Sequence, residues 1–486
     1  MTKRTLLSLL CCCAVVLVAT LHAAGADGAA NSPLTFANSA PTIPERIDAI
    51  LSGVPGNQWS ALVENDSGSV VCYERNPTNG LAPASNTKLF TTAAAFALLG
   101  TNYAFETRVY ADGSLSNGVL AGNLNLVCEH DPTWNTSIFQ DAREPLDHLA
   151  AQLKAQGLRS VSSNVQFYGA CALNPGSSDS LAAWSPQDWN VEAATAFVAT
   201  LREAGISVSG KAEGQEGFTA PGMLLCIHHS TDLTREGQPL SLGIACIPLL
   251  KVSHNVMADL LCRHLGWKLG GSDSYAAGTA QILRWLNDVP RISTNTIVMN
   301  DGSGLSRGNR FSARQCVALV RYQTAAYPTW ATGLPIGCRE GTIRRRFCGT
   351  DGEDQVHAKT GSLRTSVALS GYLINPYDQQ RYLFSFIANR PSIEQPATRQ
   401  AIDNAVVLFA APRLLHPEVS MSDNVAVFTW PASAGQEYRI QFKESLSDVP
   451  WQTLGADITA TGTTVSARDA SMEAQSQRFY RVFPVN

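Results

Sequence analysis

The sequence predicts a mixed α/β domain, interrupted by an inserted α+β module and followed by a small β-sandwich. Helix-like and strand-like segments alternate from Ile43 to Leu99 and again from Leu224 to Ala410, as one layered domain requires. Between them the chain turns to short strands broken by turns and two helical stretches. Beyond Pro412 and Pro417 only short strands remain. At 486 residues the chain exceeds one ordinary hydrophobic core, so division is expected. The expected parts are a signal at 1–26, the main domain at 41–102 and 223–411, the insertion at 103–222 and the sandwich at 415–486.

The composition, 45% hydrophobic and 16% charged, is that of an ordinary globular protein. A formal charge of −4 gives no basic face for nucleic acid. At the N-terminus Lys3 and Arg4 precede an apolar run, Leu6 to Ala19, with Ala24-Gly25-Ala26 as a cleavage site. This predicts an exported protein of the periplasm or cell envelope; whether the signal is cleaved stays open, and with it peripheral membrane association. Nine of the twelve cysteines lie beyond the signal, so at least one thiol stays free or pairs between chains. Cys338 and Cys348 are close enough to close a small loop. Neither C-x-x-C nor H-E-x-x-H occurs, so no metal site is expected.

In chain order, Ile43 to Leu51 reads as a helix, and Trp59 to Glu64 with Val70 to Glu74 as a hairpin around Asn65-Asp66-Ser67-Gly68. Lys88 to Leu99 is an unbroken Ala-, Leu- and Phe-rich helix stopped by Gly100. The insertion carries strands at Phe105 to Tyr110, Asn123 to Val127 and Asn164 to Tyr168, with helices at Leu146 to Gln156 and Val191 to Ala204. A strand from Leu224 and a helix around Val256 to Leu265 follow. Val356 to Gly361, Val367 to Ile374 and Arg381 to Ala388 read as strands, and Ala397 to Ala410 as the closing helix. Strands of the sandwich are expected at Asn424 to Trp430, Glu437 to Phe442, Thr463 to Ala467 and Arg478 to Phe483.

Three motifs stand in one order on these elements: Ser85-Asn86-Thr87-Lys88, Ser253-His254-Asn255 and Lys359-Thr360-Gly361. A serine hydroxyl needs a base to become a nucleophile, and Lys88 lies one helical turn from Ser85. Burial would lower the lysine pKa enough to keep it neutral part of the time. Ser253 would relay a proton to a leaving amine, and the Asn255 amide would hold a substrate carbonyl. Lys359 would add positive potential, the Thr360 hydroxyl would take a terminal carboxylate, and Gly361 would leave room for substrate. The backbone N–H groups of Ser85 and Ser362 would form the oxyanion hole. Alone, Ser-x-x-Lys is usually a helix cap with a solvated lysine. Ser-x-Asn also occurs at Ser162, Ser293 and Ser422, and only order and context favour Ser253.

With these motifs the chain resembles the low-molecular-mass penicillin-binding proteins of class C, the D-alanyl-D-alanine carboxypeptidase/endopeptidase family. The likeness runs from about Ile43 to Ala411. It includes Leu124 to Val127 with Asp131-Pro132-Thr133, the run Asn300-Asp301-Gly302-Ser303-Gly304-Leu305-Ser306-Arg307, and Arg339 to Arg346. The resemblance implies a transpeptidase-like α/β (α+β) domain and an acyl-enzyme on Ser85. It also implies peptidoglycan stem peptides as substrate, covalent inhibition by β-lactams and no cofactor. By position Arg307 resembles an arginine used near the substrate's acidic side chain; packing or a loop salt bridge is its other reading. His254 departs from the commoner Asp or Asn and suggests an altered pH profile. Glu129-His130 replaces small residues, and the insertion looks shorter than usual. Two other functions fit the residues less well. A serine β-lactamase would need a deacylating glutamate, for which no candidate appears. A non-catalytic exported binding or adhesion protein sits poorly with intact motifs. Oligomeric state is unread.

Overall fold

The computed structural model describes residues 17–20, 41–180, 186–390, 394–412, 415, 417–422, 425–445, 450–471 and 477–485. The chain divides into two compact units, Leu51–Leu373 with Tyr382–Asn404, and Met1–Ile50 with Ile374–Arg381 and Ala405–Asn486.

The larger unit is built on a five-stranded antiparallel sheet. Its order is Val356–Leu363, Ser366–Ile374, Arg381–Asn389, Gln58–Asn65 and Val71–Arg75. The central strands are buried along nearly their whole length, so the sheet is covered on both faces. The Thr87–Leu99 helix is buried at every position from Thr87 to Phe96, the pattern of a core helix rather than a surface one. It packs against four helices: Leu242–Val252, Asn255–Gly270, Tyr275–Asp288 and Ala313–Ala326. Three of these four have no counterpart in the sequence reading. Pro248 inside Leu242–Val252 masks that helix. Ala313–Ala326 is announced only by its Ser312/Gln315 capping box.

The insertion folds around its own seven-stranded sheet. Glu106–Ser116 and Val119–Cys128 form its long hairpin, and Val119–Cys128 continues into parallel pairings with Ser160–Val161 and Val165–Gly169. The helices Glu144–Ala155 and Pro186–Glu203 cover it, placing Leu149, Leu153, Phe197 and Leu201 against Leu124, Leu126 and Phe167. The expected boundary at 222/223 is displaced. Met223–His229 pairs antiparallel with Glu106–Ser116, and Cys226 belongs to the module's core, so the module continues past Gly222. A strand at Leu224 looks the same from sequence whichever sheet it joins.

In the smaller unit, Glu418–Ser422, Val425–Pro431 and Thr464–Asp469 form one sheet. Glu437–Lys443 and Gln477–Val485 centre a second. Phe428 and Trp430 from the first meet Tyr438, Ile440, Tyr480 and Val482 from the second in one core. Most of the expected export signal lies outside the described residues. Its Leu17–Thr20 stretch runs antiparallel along Gln477–Val485. Cys338 and Cys348 form a disulfide. Among the described residues no helix is long and apolar enough to cross a membrane.

Candidate active site

Ser85 sits on a short 3-10 turn, Ala84–Asn86, that feeds directly into the Thr87–Leu99 helix. The sheet holds this turn in place. Asn86 Nδ2 donates to Ser370 Oγ at 2.7 Å, and the Ala82 N–H donates to Asn389 Oδ1 at 2.8 Å. Ala84 adopts φ +50°, a costly conformation for a residue with a side chain. A Cβ at Gly304 would lie 1.9 Å from the Ala84 carbonyl oxygen, so only glycine lets the neighbouring loop approach this turn.

Lys88 is fully buried one turn beyond Ser85. Its Nζ lies 3.0 Å from Ser85 Oγ, 2.7 Å from Asn255 Oδ1 and 2.6 Å from the Ser303 carbonyl oxygen. The last two can only accept. A neutral amine therefore spends both N–H bonds on them and turns its lone pair to the Ser85 hydroxyl, the arrangement a general base needs. Burial lowers the Lys88 pKa to about 7, against the opposing pull of Asp259 and Asp301. Acylation that needs neutral Lys88 is therefore expected to rise with pH through about 7 and level off above it. Stopped-flow acylation by a penicillin at pH 5 should run about a hundredfold below the plateau, because only about 1% of the amine is then neutral. A flat profile between pH 5 and 9 would contradict this.

The Asp301–Ser306 loop gives Lys88 its second acceptor. Asp301 takes N–H groups from Gly304 at 2.8 Å and Ser306 at 2.6 Å, and Asn309 Nδ2 at 2.8 Å, which folds the loop back onto the lysine. Asp259 fixes it from the other side through the Gly302 N–H at 3.1 Å. Sequence reasoning assigned neither carboxylate a role. Asp259 is legible only as lying one turn beyond Asn255 on the same helix.

Ser253 ends the Leu242–Val252 helix in the left-handed conformation, φ +62°, and Asn255 opens the Asn255–Gly270 helix. Lys359 Nζ donates to Ser253 Oγ at 2.7 Å and is held well below its usual pKa by burial and by Lys88. His254 between them is wholly buried, and its Nδ1 accepts the Met257 N–H at 3.4 Å as a helix cap. Burial pushes its pKa down to about 4, so the altered pH profile expected from this residue does not follow near neutrality.

Thr360 Oγ1 donates to Thr342 Oγ1 at 2.8 Å. Gly361 needs a different explanation from the expected one. A Cβ there would lie 2.3 Å from the Pro83 carbonyl oxygen and 3.2 Å from Ala84 Cβ. The space is filled by the protein's own approach to the nucleophile turn, not left for substrate.

A cleft of about 470 Å³ opens over these groups, lined by Ser85, Ser253, Asn255, Thr360, Gly361 and Ser362. Ser177 of the insertion also lines it, and its carbonyl accepts the Asn255 N–H at 2.9 Å. Arg307 is not among the lining residues. It is exposed on the turn after the folded-back loop, where its carbonyl accepts from Arg310. The cleft's guanidinium groups are Arg346 and Arg399. Arg346 is committed to Asp403, its Nε 3.1 Å from both carboxylate oxygens. Arg399 bonds neutral acceptors, Ser362 Oγ at 3.2 Å and Gln395 Oε1 at 2.5 Å. Nothing in the sequence around Arg399 announces it.

A buried amine hydrogen-bonded to a serine hydroxyl beneath a cleft is the geometry a serine acyl-transferase would need. Residues 44–174 and 170–412 match the D-Ala-D-Ala carboxypeptidase 3 (S13) family, and the chain belongs to it. Similar curated proteins include a D-alanyl-D-alanine carboxypeptidase of Actinomadura sp., 26% identical over 464 residues, covering 73% of this chain and 82% of that one. Carboxypeptidase DacB of Mycolicibacterium smegmatis is 26% identical over 371 residues, covering 70% and 78%. Penicillin binding protein 4 of Haemophilus influenzae has a similar fold, with TM-score 0.61 and 20% identity over 74% of this chain and 98% of that one. The fold class and family expected from the sequence hold.

Proposed function

We propose that this serine peptidase removes the terminal D-Ala of peptidoglycan stem peptides through an acyl-enzyme on Ser85. The observation that carries the proposal is Lys88 Nζ set among Ser85 Oγ, Asn255 Oδ1 and the Ser303 carbonyl. Neutral Lys88 takes the Ser85 proton as Oγ attacks the carbonyl of the penultimate D-Ala. The N–H groups of Ser85 and Ser362 receive the oxyanion. Ser253, hydrogen-bonded to Lys359, passes the proton held by Lys88 on to the leaving D-Ala amine, and water then releases the shortened peptide. Asn255 spends its oxygen on Lys88 and keeps its Nδ2 for a substrate carbonyl. No step calls for a cofactor.

The same steps open a cross-link when the leaving amine belongs to a neighbouring stem, so endopeptidase action shares this site. A β-lactam would be trapped on Ser85 as a stable acyl group. Structures similar in fold include the Haemophilus influenzae protein complexed with a β-lactam and a penicillin G-acylated Bdellovibrio endopeptidase. Such substrates place the work outside the cytoplasm, in the periplasm or cell envelope, consistent with the signal-like N-terminus. Purified protein should release D-Ala from a pentapeptide stem. Failure to do so, and to open a cross-linked dimer, would overturn the proposal.

Arg399, with Thr360, is proposed to receive the substrate's free carboxylate. A charge-assisted hydrogen bond contributes about 1.5–3 kcal/mol, so Arg399→Ala should raise KM for the peptide acid by roughly ten- to a hundredfold. A peptide amidated at its C-terminus should show little change. Equal losses for both substrates would argue against this role.

A further inference from the structure

Three donor side chains that the peptidase chemistry does not use converge at one edge of the inserted module. His148 lies on the Glu144–Ala155 helix, His228 near the end of the Met223–His229 strand, and Asp232 on the short Ser230–Asp232 turn that follows it. The helix packs against the strand, which brings His148 Nδ1 to 2.9 Å from His228 Nδ1. Asp232 Oδ2 lies 3.7 Å from His228 Nδ1 and 4.0 Å from His148 Nδ1.

We propose that His148, His228 and Asp232 form a binding site for a divalent cation of the zinc class, which ties the helix, strand and turn together. Two imidazoles with one carboxylate are a donor set that suits this ion. Zinc bonds of about 2.0–2.1 Å at a tetrahedral angle set ligand atoms roughly 3.3 Å apart. The imidazole pair already lies inside that spacing, and the carboxylate oxygen, at 3.7 and 4.0 Å, must close by about half an ångström. Its oxygen is oriented by the His229 N–H, which donates to Oδ2 at 2.8 Å.

A direct imidazole–imidazole hydrogen bond accounts for the 2.9 Å contact but gives the neighbouring carboxylate, at 3.7 and 4.0 Å, no part in the cluster. The His228 ring is wholly buried, and ligation at Nδ1 would leave its proton on Nε2, which has no hydrogen-bond partner among the described residues. The flanking groups are a glutamine and an ion pair. Gln152 Nε2 lies 3.4 Å from the ring nitrogens of His148, and His229 Nδ1 lies 3.6 Å from Glu106 Oε1. The His148 and Asp232 side chains are 31% and 34% exposed, so the ion has an entry path and room for a water ligand. With the histidines 80 positions apart, no sequence motif marks the site.

The test uses tag-free full-length protein stripped with a chelator, then titrated with Zn²⁺ against a chromophoric indicator and with Co²⁺ by visible absorption. The expected result is one equivalent bound per chain, cobalt bands of a low-coordinate nitrogen/oxygen site, and a Tm raised by several degrees in saturating zinc. His148→Ala and Asp232→Asn should each abolish all three effects. Both positions are partly exposed, and an unchanged penicillin acylation rate in each metal-free variant would show that the fold persists. No saturable binding to wild type, or the same stoichiometry and Tm shift in both variants, would overturn the proposal.

Discussion

Replacing Lys88 by arginine is expected to lower the acylation rate about a thousandfold, within the range a positioned general base contributes. Arginine keeps a positive charge near Asp259 and Asp301, but a guanidinium does not give up its proton at any working pH. If Lys88 served only as a fixed positive charge, arginine would substitute with a modest loss. If it is the base, neither the charge nor a longer reach helps. Lys88→Met removes the charge along with the base and sets the reference: arginine should be no better than methionine if Lys88 is the base, and far better if only charge is needed. Rates of penicillin acylation, measured beside circular dichroism to establish folding, check both variants. Lys88→Arg within tenfold of wild type would contradict the assignment.

Gly361→Ala is expected to cost about a hundredfold or more in kcat/KM, through the nucleophile and not through lost substrate contacts. The added Cβ would lie 2.3 Å from the Pro83 carbonyl oxygen, well inside van der Waals contact. Either the Val356–Leu363 strand or the Pro83–Ser85 turn must move by close to an ångström. The strand is paired residue by residue with Ser366–Ile374, so the turn yields more easily. Ser85 then leaves its place beside Lys88. Overpacking of this kind also destabilises by about 1–3 kcal/mol. A variant with lower kcat and little change in KM fits this account; a rise in KM alone would return Gly361 to the substrate.

The three motifs were legible because each carries its chemistry in adjacent residues and each falls on an element of clear periodicity. The Ala-, Leu- and Phe-rich run from Lys88 to Leu99 with its Gly stop reads as a buried helix, and burial of Lys88 follows from that. What sequence could not show was convergence. Asp259, Asp301 and the Ser303 carbonyl act on Lys88 across 171 to 215 positions, and a backbone acceptor has no sequence signature at all. Arg307 was placed by its neighbours in a motif, yet the hydrogen bonds of Asp301 fold that motif onto the lysine and leave the arginine outside. Arg399 lies on a helix that reads simply as a closing element. The insertion's limit was misplaced for a related reason: a strand's partner is a tertiary fact, and Met223–His229 chose Glu106–Ser116.

The most direct test of Ser85 as the nucleophile is to incubate the purified protein with a penicillin, digest it and find the modified peptide by mass spectrometry. One acyl group on Ser85, absent from a folded Ser85→Ala variant and formed faster as pH rises through about 7, is the predicted result. An adduct on another residue, or equal labelling of the Ser85→Ala variant, would contradict it.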